Sequence, residues 1–399
     1  MSLSKVRIIY LCNAIDQNTK EERKVVFDSP AATNKVFGLA KALQTQGLDI
    51  QIVSFGKGKQ TGSGNKYPAQ SKIVFGIPVH YAAFWQIPII THIVGTFSLA
   101  SLVRYLTKGF SGRVIVIAYN RLWQYLPSLI YAKCNKVENY LDLEDGPLPS
   151  KHILLRLKDI FSKQLFSLLC NSGSIIVARN IANQVRSGHI FICYGTTEIQ
   201  QRDANIWSHH PIKILFGGTL VSETGVQLLI DTVTWLEFHN PELKKKISFT
   251  VTGQGSLAAN LQHFAEISGK DWIKFLGSID RNSYTKELNT AHIGLNLRLA
   301  SSEMGKTTFP SKILEYASHG LTIVSTRVSD VPDLLDNDTA ILLDEETPQH
   351  LASIFTKIGE GFYDLQSLGK KGQEKINSVC STEVVGKNLK QFLLKESDR

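Results

Sequence analysis

Residues 309–326, FPSKILEYASHGLTIVST, read in succession as a loop, a helix, a glycine stop and a buried strand. Pro310 and Ser311 stand where a helix begins: proline is tolerated in a first turn, and a serine hydroxyl can cap amides that lack a partner there. Unpaired N–H groups and the helix dipole together make an anion site, and Lys312 adds a full positive charge at the same place. Glu315 follows one turn along the same face, where its carboxylate can accept hydrogen bonds from sugar hydroxyls. Gly320 stops the helix, and the apolar run 321–326 reads as a core strand. The same residues also read more plainly, as a surface helix with a serine cap, a solvated lysine and a helix-stabilising glutamate. The choice between the two rests on what surrounds them.

Outward from this segment, the C-terminal half alternates strands at 212–216, 247–252, 273–276, 293–297 and 340–343 with helices at 226–238, 257–267 and 284–290. The N-terminal half repeats the pattern, with strands at 6–12, 50–55, 114–118, 137–141, 174–178 and 189–193 and helices at 31–46, 89–106, 122–133 and 152–169. Strands separated by helices predict an α/β protein whose parallel sheets are covered on both faces, with ligands at the carboxyl ends of the strands. A chain of 399 residues exceeds one comfortable core and suits two domains. The pattern places them at 1–205 and 206–380, joined in the polar stretch 198–210, with a closing helix in 381–399.

Hydrophobic residues make up 43% and charged residues 20% of the chain, which excludes a disordered polypeptide. The five cysteines, Cys12, Cys134, Cys170, Cys193 and Cys380, are widely spaced and odd in number. They form no metal-ligand or disulfide pattern and suit a reducing cytoplasm. No leader is expected, because the first residues run straight into VRIIYLC. The longest apolar run, 87–103, is interrupted by Thr91, His92 and Thr96 and closed by Arg104. It predicts a buried helix, with an interfacial helix the second choice, rather than a span. A net charge of +9, with a basic cluster from Lys57 to Lys72, favours anionic partners: a nucleotide, an anionic membrane surface or nucleic acid. Aromatics are not interleaved with the basic cluster and no nucleic-acid module accompanies it, so nucleic acid ranks last.

Several loops carry chemistry. The first strand of the second domain runs into FGGTLVSETGVQLLI, where Gly217, Gly218 and Gly225 flank a tight turn and a helix start. TGQGS at 252–256 and FLGS at 275–278 follow the next two strands; a single GxG is a weak signal by itself. Arg298 is the only charged residue at the end of strand 293–297, and Glu303 lies in the polar loop after it. In the first domain YLDLEDGPL sets Asp142, Glu144 and Asp145 just after a strand. Such a cluster suits acid/base chemistry or a metal, although Asp145-Gly146 also reads as an ordinary turn pair.

The segment FPSK...EY, followed by a glycine and a strand, resembles the donor-binding motif of retaining family 4 glycosyltransferases of the GT-B fold, and in its wording a subgroup common among bacterial polysaccharide enzymes. The resemblance covers most of 212–344 and, more faintly, the N-terminal half. It implies two Rossmann-like domains with the active site in the cleft between them. Glu315 matches the second glutamate of the family motif and Gly320 its glycine, whereas the first glutamate falls at Thr307. The arginine and lysine that clasp the donor diphosphate in the family fall at Thr219 and Thr224, which can hydrogen-bond phosphate oxygens without neutralising them. Lys312, with Lys306 or Arg298, is then left to supply the charge; Glu303 reads first as a solvated loop carboxylate, and replacing the missing glutamate from twelve residues before Glu315 instead of eight would demand a longer loop. Gly218, Gly253 and Gly277 match the loops around the nucleotide, with Phe309, Pro310 and Ser311 leading into the phosphate-binding helix. Glu144 and Asp145 fall near the family's acceptor-facing acid. The loop 13–29 resembles the first-domain loop that touches donor and acceptor, with Ser29-Pro30 in place of its glycine pair.

The resemblance implies transfer of a hexose, with UDP-glucose the favoured donor, to a growing polysaccharide or a lipid-linked glycan, with retention at the anomeric carbon. It implies neither a cofactor nor a metal, since helix amides and a lysine neutralise the leaving diphosphate. Peripheral attachment to the inner face of the cell membrane stays open. Two rivals remain: a non-hydrolysing sugar-nucleotide epimerase, for which no set of cleft carboxylates and histidine is evident, and a non-catalytic GT-B binder of nucleotide or glycan.

Overall fold

Runs of Val, Ile and Leu buried on both faces build two separate sheets, one in each of two units. The computed structural model describes residues 5–146, 153–185, 188–268 and 272–395. The first unit is Met1–Thr196 with Thr382–Arg399, the second Thr197–Ser381.

The strands of the first unit are β1 (Val6–Cys12), β2 (Asp49–Ser54), β3 (Gln70–Val74), β4 (Ile77–Tyr81), β5 (Arg113–Tyr119), β6 (Glu138–Leu143), β7 (Gly173–Ile176) and β8 (Ile190–Ile192). They form one sheet in the order β8-β7-β6-β5-β1-β2-β4-β3. Its pairs are parallel except for the β3–β4 hairpin. The helices are α1 (Gln17–Glu22), α2 (Pro30–Thr45), α3 (Ile90–Lys108), α4 (Leu126–Cys134) and α5 (Ile153–Leu169). Chain order reverses direction across β1, whose neighbours are β2 and β5, so the carboxyl ends of β1 and β5 flank the crevice such sheets use for ligands.

The second unit holds β9 (Ile212–Thr219), β10 (Ile247–Gln254), β11 (Ile273–Phe275), β12 (Ile293–Asn296), β13 (Thr322–Thr326) and β14 (Ile341–Leu343). All are parallel, in the order β11-β10-β9-β12-β13-β14. The reversal here falls at β9 and β12. Its helices are α6 (Val226–His239), α7 (Ala258–Ser268), α8 (Arg281–Thr290), α9 (Glu303–Thr307), α10 (Lys312–Ser318), α11 (Val331–Leu334), α12 (Pro348–Gly359) and α13 (Leu365–Cys380). The last helix, α14 (Thr382–Leu394), returns to the first unit. It buries Val385, Leu389 and Leu393 at four-residue spacing, and Gly386 lies so close to α2 that a methyl group would sit 2.2 Å from the Ala42 carbonyl.

The parallel α/β architecture agrees with the sequence expectation, and two local readings differ. The β3–β4 hairpin was not anticipated: its two-residue turn puts Phe75 at φ +51° and Gly76 at +78°, and phenylalanine is an unusual occupant of that left-handed position. The helix expected at 122–133 opens as a 3-10 turn at Trp123–Tyr125 before α4 begins. The start of the helix expected at 152 lies outside the described residues, and α5 is described from Ile153. The run 87–103 becomes α3, which buries Thr91, Gly95, Leu99 and Val103 and leaves Ile93 and Phe97 exposed. Among the described residues no helix is long and apolar enough to cross a membrane. All five cysteines are free thiols, and four are buried.

Candidate functional site

In the second unit the glycine loops form one edge. β9 runs into Gly217-Gly218-Thr219, paired residue by residue with Thr252-Gly253-Gln254 of β10. Gly253 has φ +143°, and a Cβ there would lie 1.8 Å from the Gly218 carbonyl oxygen. Only glycine lets the two strand ends run this close. The Gly253 amide and the Thr252 hydroxyl both donate to the Gly277 carbonyl at 2.8 Å, which joins the third loop to the same edge.

The turn after β9 closes on itself. The Thr224 hydroxyl donates to the Thr219 and Val221 carbonyls at 2.8 Å each and accepts from the Val221 amide at 3.2 Å. Its single proton is shared between these two carbonyls of its own turn. Gly225, at φ +80°, turns the chain into α6 against the Leu297 carbonyl, and the Leu299 amide donates to the Glu223 carbonyl at 2.9 Å. The turn after β9 and the loop after β12 are thus laced together.

The start of α10 differs in detail from the expectation. Ser311 already has helical φ and ψ, and its side chain makes no capping bond. The helix closes with Ile313 donating to the Pro310 carbonyl at 3.0 Å and Leu314 to that of Ser311 at 3.1 Å. Phe309 is buried and anchors the approach. Lys312 Nζ lies 2.6 Å from Glu315 Oε2 and 4.1 Å from the centre of the Tyr284 ring. That ring packs on the glycine turn, since a Cβ on Gly217 would meet the Tyr284 hydroxyl at 3.0 Å. The fully buried Tyr316 hydroxyl accepts from the Gly217 amide at 2.9 Å. Tyr284 and Tyr316 thereby connect the Lys312–Glu315 pair to Gly217. The Tyr284 hydroxyl, near Tyr316 and Glu315, is enclosed but outside hydrogen-bonding geometry with either. Burial first, then these two neighbours, pushes its phenol far above the ordinary value, so it keeps its proton. Sequence reasoning gave neither tyrosine a role, although the EY of the opening segment contains one of them.

The other candidates sit on the adjoining loops. Arg298 donates to the Thr308 hydroxyl, and its carbonyl accepts from Thr326 at 2.5 Å. The Thr307 hydroxyl donates to the Glu303 carbonyl at 2.7 Å within α9. Glu303 pairs with Lys306 at 3.3 Å, both about half exposed. It sits on the surface of α9 rather than folding toward Glu315, and Lys306 is taken up by it. Lys312, likewise paired with a carboxylate, is held against the glycine turn through Tyr284.

The first unit holds a separate cluster. Asp142, near the end of β6, is fully buried and accepts from Lys35 Nζ at 3.1 Å and from the Tyr10 hydroxyl. Lys35 also pairs with Glu144. Burial works against the lysine charge, but Asp142 and Glu144 overcome it and hold the ammonium pKa well above its ordinary value. Burial raises the Glu144 carboxyl, Lys35 opposes the rise and Asp142 adds to it. Glu144, about one-quarter exposed, therefore sits at the rim of an ion cluster whose other members, Asp142 and Lys35, are buried, whereas Asp145 lines an open cleft of about 250 Å³ with Asn120, Arg121, Trp123 and Lys158. Lys35 was not singled out in the sequence; the available signal was a lysine among the apolar residues of the helix 31–46.

The class that this architecture defines is α/β with the GT-B fold. Residues 211–359 match the family described as "Glycosyl transferases group 1". One component of human phosphatidylinositol N-acetylglucosaminyltransferase is 27% identical over 192 residues, 48% of this chain and 37% of that protein. The amylovoran biosynthesis glycosyltransferase AmsK of Erwinia amylovora is 24% identical over 187 residues, 46% of this chain and 45% of that one. The chain thus spans less than half the length of these curated relatives. HepE of Anabaena, solved in complex with UDP, superposes with a TM-score of 0.68 at 13% identity, covering 98% of this chain and 100% of that one. Sucrose-phosphate synthase of Thermosynechococcus elongatus superposes with a TM-score of 0.68 at 11% identity, covering 98% of each. At such identities the likeness establishes the fold.

Proposed function

We propose that this protein is a retaining glycosyltransferase that moves a hexose from a nucleoside diphosphate sugar, with UDP-glucose the favoured donor, to a growing polysaccharide or a lipid-linked glycan. The observation that carries the reading is the Lys312–Glu315 pair, held beside the Gly217–Gly218 turn by Tyr284 and Tyr316 within the segment that matches the family. HepE, which shares the fold, is also solved with UDP-glucose, and this supports the choice of donor.

In this reading the amides at the start of α10 and the Lys312 ammonium take up the charge of the leaving diphosphate without a metal. Glu315 holds the ribose hydroxyls, the backbone at Gly277 borders the base, and Asp145 and Glu144 belong to the acceptor side. The bond from the anomeric carbon to the diphosphate oxygen breaks as the acceptor oxygen bonds on the same face. The acceptor proton passes to the departing phosphate. The enzyme works in the cytoplasm, attached peripherally to the membrane when its acceptor is lipid-linked.

A thermal-shift panel of UDP, GDP and ADP sugars tests the reading, because a saturating ligand raises stability by an amount set by its concentration over its Kd. Stabilisation by one nucleotide sugar, with free nucleoside diphosphate released on adding a glycan acceptor, is expected. The Thr224 hydroxyl, bonded within its own turn, favours a non-catalytic binder as the second reading. Stabilisation without release of nucleotide across a panel of acceptors would select it.

A further inference from the structure

An ordinary surface helix turns its apolar side to the core; α5 does this and also carries apolar residues on the opposite side. It buries Ser162, Phe166 and Leu169 against the first unit. Ile153, Leu157 and Ile160 recur at the four- and three-residue steps that keep to the other side, with Leu168 eight residues further along it, and they are 72%, 57%, 54% and 54% exposed. Leu154 and Phe161, also more than half exposed, widen the strip. Arg156, Lys158 and Lys163 are set around it against a single acid, Asp159. Apolar strips of this extent on a soluble surface mark an interaction site.

We infer that the outward face of α5 docks on an anionic lipid bilayer, lying in the interface rather than crossing it. The 17 residues of α5 are too few and too charged to span a bilayer. An apolar strip with basic flanks instead suits an interfacial helix on anionic lipid. A basic fringe matches an anionic surface and would repel a second copy of the same helix. The inference supplies a surface for the peripheral attachment proposed above. Lys158 and Ser162 of α5 line the cleft that holds Asp145, on the side of the helix turned to the first unit, so the docking face and that cleft lie on different sides of α5; the link to an acceptor rests on the glycosyltransferase reading, whereas the docking itself does not.

The test is co-sedimentation of the full chain with vesicles of phosphatidylglycerol in phosphatidylcholine, and of phosphatidylcholine alone, at low and high salt and without donor. The parent is expected to pellet with the anionic vesicles and to be released by salt. The double variant Leu157→Glu, Ile160→Glu should bind at least about tenfold more weakly, with an unchanged circular dichroism spectrum and unchanged UDP-sugar affinity. Equal pelleting of parent and variant, or pelleting indifferent to phosphatidylglycerol, would overturn the inference. So would a parent that sediments as a dimer and a variant that sediments as a monomer, which would assign the face to a second copy. A parent that binds vesicles but no nucleotide sugar would sink the proposed activity and leave the docking surface standing.

Discussion

The Tyr316 hydroxyl, at the centre of α10, accepts a hydrogen bond from the Gly217 amide at 2.9 Å. It reaches β9 because Gly294 of the intervening β12 has no side chain: a Cβ there would lie 2.2 Å from the Tyr316 ring. The bond ties the phosphate-side helix to the glycine turn across 99 residues of sequence. Tyr316→Phe keeps the ring and strands the Gly217 amide, so it should cost about 1–3 kcal/mol of stability and weaken nucleotide-sugar binding. Urea denaturation and calorimetry read the two effects, and an unchanged urea midpoint would show that the amide has another partner.

Lys312→Ala should weaken UDP binding by about 1.5–3 kcal/mol, the scale of a hydrogen bond to a charged group. The folded protein loses little, because the Lys312–Glu315 pair is about one-third exposed and such pairs contribute about 0–1 kcal/mol. Calorimetric titration with UDP decides the matter: undiminished affinity in the folded variant would remove Lys312 from the donor site.

Glu315→Gln keeps the shape of the side chain and removes its charge-assisted acceptor. Activity should fall while the Tm stays near that of the parent. A large loss of Tm with full specific activity would make Glu315 a structural residue.

The glycine loops were legible in the sequence because their positions demand glycine: close backbone approach leaves no room for a side chain at Gly253 and Gly225, and a positive φ sets Gly218 and Gly277. Local alternation likewise disclosed the parallel strands. The links that organise the site were not legible, because they are pairings between distant residues. Nothing near Lys35 points to Asp142, 107 residues away, and nothing near Tyr284 signals its place between Lys312 and Gly217. Thr224 was read from its position in a motif, whereas its hydroxyl follows the needs of its own turn.

Lys35→Met should destabilise the protein by about 3–5 kcal/mol, the cost of leaving a buried charge without its partner. Asp142 is fully buried and its other side-chain bond is from Tyr10, so it has no route to solvent. Adding Asp142→Asn should recover part of the loss. Equal stability of Lys35→Met and the parent, by urea denaturation at neutral pH, would show that the cluster is hydrated in solution.

His292 gives the second unit an acid-sensitive point. It is 1% exposed; its Nδ1 accepts the Lys213 amide at 2.9 Å and its Nε2 faces the Ile206 carbonyl at 2.8 Å, an arrangement that requires the neutral ring. Burial, aided by Arg202 and Lys213 and opposed by the bond to Ile206, lowers its pKa from 6.5 to about 4. Between these values the unfolded chain binds a proton that the folded ring does not, so stability rises with pH across this window. The contribution is complete above about pH 6.5 and lost toward pH 4, up to about 3 kcal/mol at roughly 1.4 kcal/mol per pH unit. His292→Gln, which cannot titrate, should flatten the fall in urea midpoint between pH 6.5 and 5. An equally steep fall in the variant would assign the acid sensitivity to other groups and show that His292 is protonated without loss in the folded protein.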